Sequence, residues 1–312
     1  MKDNQIEFRK KRDFGEVINA TFTFITAHLI HFLSMQVLIS LPFALIAIII
    51  IKIFPVENLF FVGVFTQNIG QNILYILIYA VAGFSLLVFL VSAVYQYIAL
   101  YMKKGTTFSI TDLWQAILGE FWTMAKTYLF FFLGIIAVYL AIAVVAALVI
   151  SVLGGFGGFL GGVLIFCGVI ASIYYAMPLS FVFVIRSFEP EKTFFQAIKR
   201  ANYLVKDNWW ACFGLSFVMS IIQYILMAVL KIPFAVFGLA DITQVNFTAV
   251  ASVAVLIELV MRVITSFLPT LAGIFQYFSL VEMKDATGLT EKVEKFGTLA
   301  NNDENEDEKE DF

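Results

Sequence analysis

Residues that usually carry chemistry are scarce in this chain. Among 312 residues there are two cysteines and two histidines, a poor supply for a transition-metal centre built on nitrogen and sulfur ligands. Cys167 and Cys212 lie in separate apolar runs, without a CxxC partner or a nearby histidine. Packing is their plain reading, and a disulfide between them stays open. No nucleophile–base pair, paired carboxylates or metal cluster stands out, so the chain is expected to be no enzyme and to hold no cofactor or metal. Charge is scarce as well. Charged residues make up 14% of the chain and apolar residues 61%, where a soluble domain is nearer a quarter and a half. That balance excludes an ordinary water-soluble fold and gives no reason to expect nucleic acid as a partner. The opening MKDNQIEFRKKRDFGE is too polar for a signal peptide, and the first apolar run is long enough to span and stay.

What the chain has in abundance is long apolar runs. A helix needs about 20 apolar residues to cross roughly 30 Å of hydrocarbon. Six runs qualify, near 29–53, 73–102, 127–153, 159–186, 209–231 and 252–282. The expected fold is all-α and polytopic, with six transmembrane helices arranged as three hairpins. Lysine and arginine set the orientation. With six spans, one side receives both termini and the loops near 103–126 and 187–208. That side carries 17 basic residues, the other only Lys52 and Lys231, with Arg262 left over. Both termini are therefore expected in the cytoplasm. Trp114, Trp122, Trp209 and Trp210 all fall at cytosolic ends of spans, where indole rings favour the headgroup layer.

The segment EKTFFQAIKRANYLVKDNWW, 191–210, interrupts the apolar pattern. Phe194, Ile198, Ala201 and Val205 share a helical face, while Lys192, Gln196, Lys199, Arg200 and Lys206 occupy the rest. Pro190 and Glu191 suit the first turn of such a helix. It reads as an interfacial helix with its basic side toward anionic headgroups. Candidate headgroup contacts are Lys192, Lys199, Arg200, Lys206, Trp209 and Trp210. Two more amphipathic stretches precede hairpins: 111–121, with Trp114, Ile117, Leu118 and Phe121 on one face, and 13–25, with Phe14, Val17, Ile18, Phe22 and Ile25. Trp114-Gln115-Ala116-Ile117 echoes Phe195-Gln196-Ala197-Ile198, and QYIALYMKKG at 96–105 echoes QYFSLVEMKDATG at 276–288. Three copies of one unit are expected, each an amphipathic helix followed by a hairpin. The hairpin units run about 13–105, 106–190 and 191–286, after a basic N-terminus, 1–12, and before an acidic tail, 287–312, expected to be disordered.

RKKRDFGEVINATFTFI and AIKRANYLVKDNWW resemble two signature regions of an uncharacterised group of bacterial six-span membrane proteins. That group is similar to the membrane domain attached to some glycerophosphodiester phosphodiesterases. The resemblance covers most of the chain and implies fold and topology. It carries over no catalytic residue, and the hydrolase half of those fusions has no counterpart here. Ala201 stands where the group's pattern has serine.

Several polar features admit two readings. His28 and His31 share a helical face at the mouth of the first span, either as a pH-sensitive pair or as interfacial side chains. GGFGGFLGG, 154–162, lacks the lysine and threonine of a phosphate loop and reads as a tight turn. Its Gly154, Gly158 and Gly162 have the spacing that lets helices approach closely. Pro178 and Pro269 fall inside spans and free backbone carbonyls, which Ser180, Thr265 and Ser266 are placed to satisfy. Glu258 and Arg262 form a candidate intramembrane ion pair at i and i+4, a structural clasp near the outer interface or a lining of a pathway. The function expected is a non-enzymatic integral membrane protein that engages lipid or a partner at the cytosolic face. The alternative is a transporter or channel for a lipid, small amphiphile or ion. Substrate and protein partners are not legible, and a homo-oligomer stays open.

Overall fold

The computed structural model describes residues 6–53, 69–239, 261 and 265–286. The described residues are mostly helical, with no strand among them. The helices are α1 (Phe14–Ile53), α2 (Ile69–Lys104), α3 (Ile110–Phe188), α4 (Phe194–Val205), α5 (Trp209–Leu239) and α6 (Phe267–Asp285). A single 3-10 turn, Lys206–Asn208, joins α4 to α5. Among the described residues, four stretches are long and apolar enough to cross a membrane: Phe14–Phe43, Ile73–Lys104, Ile110–Phe188 and Phe194–Ile232. Large apolar side chains such as Leu140, Leu148, Phe159 and Ile225 face outward along them. Water would penalise so much exposed apolar surface, and a bilayer would not.

Three helices begin with the same local device. Asp13 and Glu16 cap each other's backbone N–H groups at 2.7 and 3.0 Å. Ser109 and Asp112 do so at 3.2 and 2.9 Å, and Thr193 and Gln196 at 3.4 and 2.8 Å. Each is a reciprocal capping box, which satisfies two donors that a helix start leaves unpaired. Counted from the cap, the fourth and eighth residues are buried in all three: Val17 and Thr21, Leu113 and Ile117, Ala197 and Ala201. The fifth, Ile18, Trp114 or Ile198, packs partly buried against the same core. Thus α4 starts at Phe194, capped by Thr193. Pro190 and Glu191 lie in the preceding turn, not in the first helical turn where the sequence placed them.

The 13–25 segment and the span after it are one helix by hydrogen bonding, but His28 departs from helical geometry, with φ −125° and ψ 15°. The 3-10 turn makes the corresponding break between α4 and α5. The 111–121 segment has no such break. It runs continuously into the following apolar stretch, so it is not the separate helix its amphipathic pattern suggested. Its inward face continues through Ile117 to Met124, which removes any reason for the chain to turn.

At 79 residues, α3 would measure roughly 120 Å if straight. It is instead broken at Gly154, whose φ of 57° and ψ of −132° only glycine adopts without strain. The residues on either side fold back on one another. Tyr128 stacks on Phe183 with ring centroids 4.1 Å apart, and Ser187 Oγ lies 3.9 Å from Met124 Sδ. The glycines that permit this approach are one register away from those the spacing suggested. A Cβ at Gly157 would sit 2.4 Å from the Val149 carbonyl oxygen, and one at Gly161 would sit 3.0 Å from Ile150 Cγ1. Gly158 and Gly162 have open space instead. The turn is one residue, and the remaining glycines belong to the returning helix.

Against this pair of arms lie α2 and α4, while α1 packs on α2 and α6, and α5 on α6. The core gathers at the end of the molecule where the three capping boxes sit. Within residues 6–12, part of the basic N-terminus, Phe8 belongs to that core and Ile6 packs against it. Phe8 is 4% exposed and stacks on Phe275 at 4.8 Å, with its edges toward Phe24, Tyr101 and Phe278.

Candidate functional site

Short turns after α3 and after α4 place a charged cluster beside the last turn of α6. Arg200 of α4 donates from Nη1 to Asp285 Oδ1 at 3.2 Å and from Nη2 to Asp285 Oδ2. Its Nε donates to Glu189 Oε1 at 3.3 Å, and the Tyr277 hydroxyl donates to the same oxygen at 2.7 Å. Lys192 bridges the other oxygen of Glu189 at 3.1 Å and approaches Glu191 at 3.7 Å. The hydrogen bond that Arg200 donates to Asp285 raises its pKa above the ordinary guanidinium value, against the lowering effect of burial. Next to this cluster Lys284 pairs with Asp207. That bond depresses the Asp207 pKa and raises that of Lys284. Tyr203 underlies both cations, 5.7 Å from Arg200 Cζ and 5.4 Å from Lys284 Nζ.

Six residues were expected to contact headgroups, and the structure separates them. Arg200, with its side chain 18% exposed, and Lys192 spend their charge on carboxylates within the protein. Lys199 and Lys206 are exposed and make no ion pair with a described residue. The apolar face of α4, with Ala197, Ala201, Leu204 and Val205 buried, is turned into the bundle. What α4 and its surroundings present outward is Phe195, 73% exposed, and Trp210, 78% exposed. Trp122 of α3 is 70% exposed. Glu258 and Arg262 lie outside the described residues.

Trp209 has a structural task that the sequence did not disclose. Pro178 has no N–H, so the Tyr174 carbonyl four residues earlier loses its helical partner. The Trp209 indole Nε1–H supplies the missing donor at 2.9 Å. Ser180, a suggested rescuer, turns its hydroxyl to the Met177 carbonyl instead, at 2.7 Å. The indole stacks on Tyr174, at 5.2 Å and 16°, and on Phe213, at 5.1 Å and 7°. Trp210 meets its edge at 4.8 Å and 86°.

Tyr174, Trp209 and Trp210 border a recess of about 410 Å³. Ile170, Ile173 and Tyr174 of α3 line its apolar side. Lys206 and Asp207, from the 3-10 turn, line its polar side, and Trp209 and Trp210 close it. The recess therefore has a graded character, apolar toward the middle of the long helices and charged toward the core end.

Two histidines meet tyrosines across the α1–α2 contact. His28 Nε2 lies 2.9 Å from the Tyr101 hydroxyl, and His31 Nδ1 lies 2.7 Å from the Tyr97 hydroxyl. Both hydrogen bonds serve packing between the helices. Cys212 is buried and accepts from Gln276 Nε2 at 3.6 Å, whereas Cys167 is exposed, and both thiols are free. Among the described residues no three His, Cys, Asp or Glu side chains are grouped as metal ligands would be. Phe8 and Arg12 escaped the sequence reading. The Arg12 backbone N–H donates to Ser279 Oγ at 2.9 Å, and that hydroxyl donates back to the Arg12 carbonyl at 2.9 Å. The only local signal was an aromatic residue ahead of the basic run. Comparison with protein families, with characterised proteins and with solved structures finds no match to this chain.

Proposed function

We propose that this is a non-enzymatic integral membrane protein of the bacterial inner membrane that engages lipid at its cytosolic face. In this reading the chain crosses six times as three hairpins, with both termini in the cytoplasm, as the family resemblance implies. The observation that carries it is the composition of the rim around the core end of the bundle. There Trp122, Phe195 and Trp210 stand out from the surface beside Lys199 and Lys206, while the helices beyond are apolar on their outward faces. Exposed indole and phenyl rings interleaved with lysines suit the layer of anionic headgroups. The bonded lysine and arginine of the neighbouring cluster support the rim mechanically rather than by contacting lipid.

The test is accessibility from either side. In a Cys167→Ser/Cys212→Ser background, Lys199→Cys should react with a membrane-impermeant maleimide only after the cells are permeabilised. Reaction in intact cells would overturn the orientation and the headgroup role with it. If the rim meets anionic lipid, Lys199→Glu with Lys206→Glu should reduce the phospholipid that copurifies with the protein in mild detergent.

A further inference from the structure

We infer that the recess between α3 and the α4–α5 junction is a binding site for one anionic glycerophospholipid of the phosphatidylglycerol type. The inference rests on the membrane reading above and gives it a specific ligand.

The recess has the polarity of a lipid at the headgroup boundary. Ile170 and Ile173 are exposed on the outward face of α3, so an acyl chain lying along them stays in hydrocarbon. The exposed Lys206 stands at the opposite, polar side, at the level of a phosphodiester. Trp210 lies between, a ring of the kind that favours the glycerol and carbonyl region. The volume of about 410 Å³ holds part of a lipid, a headgroup and the start of a chain, within the usual range for a small-ligand site.

The charges select the headgroup. Lys206 makes no ion pair with a described residue, whereas Asp207, the carboxylate of the recess, is already paired with Lys284. A phosphate finds an available cation there, but an ethanolamine ammonium finds no available anion. A choline group would need aromatic faces to enclose it. Trp209 is already stacked on Tyr174 and on Phe213. Trp210 alone does not make a cage. Net charge and geometry thus point the same way, to an anionic lipid without a cationic headgroup.

The wall is also preorganised. The Trp209 indole is fixed by its bond to the Tyr174 carbonyl, so binding does not have to order it.

Brominated lipids test this directly, because bromine quenches indole fluorescence at short range. The full chain, with Trp114→Phe and Trp122→Phe so that only Trp209 and Trp210 report, is placed in phosphatidylcholine bilayers. A small fraction of the lipid is brominated phosphatidylglycerol or, in a parallel sample, brominated phosphatidylcholine. The expected result is several-fold stronger quenching by the glycerol lipid at equal mole fraction. Lys206→Gln should weaken its apparent affinity roughly fivefold, the effect of one basic side chain at an anionic surface. Ile173→Phe, which fills the recess, should abolish the selectivity with Lys206 intact. Equal quenching by both lipids would overturn the inference. So would selectivity that survives Lys206→Gln, or competition by soluble glycerol phosphate, which would make the ligand a free phosphate. Absence of quenching by either lipid would place the indoles away from the bilayer and overturn the membrane reading itself.

Discussion

At the scale of single residues, the junction of α3 and α5 shows how one backbone defect is repaired from far away in sequence. Pro178 orphans the Tyr174 carbonyl, and the Trp209 indole restores the bond. The two residues should therefore be coupled. Trp209→Phe leaves a carbonyl unpaired and is expected to cost about 1–3 kcal/mol. In a Pro178→Ala background the helix supplies its own donor, and the same change should cost markedly less. A double-mutant cycle on unfolding in detergent measures the difference; equal costs in both backgrounds would mean that the indole bond is incidental. Arg200 presents the related case of a charge shared by two carboxylates. Arg200→Gln strips Glu189 and Asp285 of their common partner and is expected to destabilise by about 1.5–3 kcal/mol. The Asp207–Lys284 pair gives a pH signature. Its hydrogen bond lowers the Asp207 pKa in the folded state, so its contribution is present above the usual aspartate value of about 3.9. It is lost as pH falls through the lower folded value. The melting temperatures of wild type and Asp207→Asn should differ by a constant amount from pH 6 to 9 and converge below about pH 4.

At the scale of elements, legibility in the sequence followed the range of the interaction. Long apolar runs and amphipathic starts depend on neighbours within a turn or two, and the buried Val17, Ile117 and Ala201 could be placed from spacing. The register between the repeats could not. The echo of Trp114 with Phe195 is three residues out of step with the capping boxes, which align Trp114 with Ile198. An offset of three preserves the helical face, so the pattern of apolar residues could not reveal the error, whereas the caps do. The glycines failed for a similar reason: a four-residue spacing fits Gly154, Gly158 and Gly162 as well as Gly157 and Gly161, and only the partner arm distinguishes them. That distinction is testable. Gly157→Ala drives a methyl into the Val149 carbonyl and is expected to cost about 1–3 kcal/mol as an overpacking change. Gly158→Ala meets open space and should stabilise by up to about 1 kcal/mol through helix propensity. Melting in detergent compares the two; similar outcomes would argue against the register of the arms.

At the scale of the whole molecule, the charged cluster and the N-terminal arm were illegible because they join the chain's distant parts. Glu189, Arg200 and Asp285 belong to three elements, and nothing local to any of them names the others. The arm is the more telling example. Ser279 exchanges two hydrogen bonds with Arg12, and Phe8 fills the space between α1, α2 and α6. A segment legible in sequence only as a basic cytosolic N-terminus is thereby the closure between the first and last described helices. Closing a loop of that length costs much chain entropy but increases only slowly with length, so a few buried contacts suffice to hold it. Phe8→Ala removes a stacked, almost fully buried ring and should cost about 3–5 kcal/mol. The loss should not be spread evenly. Amides of α6 should exchange with deuterium faster than those of α3, because α6 loses its cover while the two arms of α3 keep their own contact. A Phe8→Leu variant, which retains apolar volume but not the ring stack, should fall between. Uniform acceleration across all helices would show that the arm supports global stability alone and does not lock the last helix to the first.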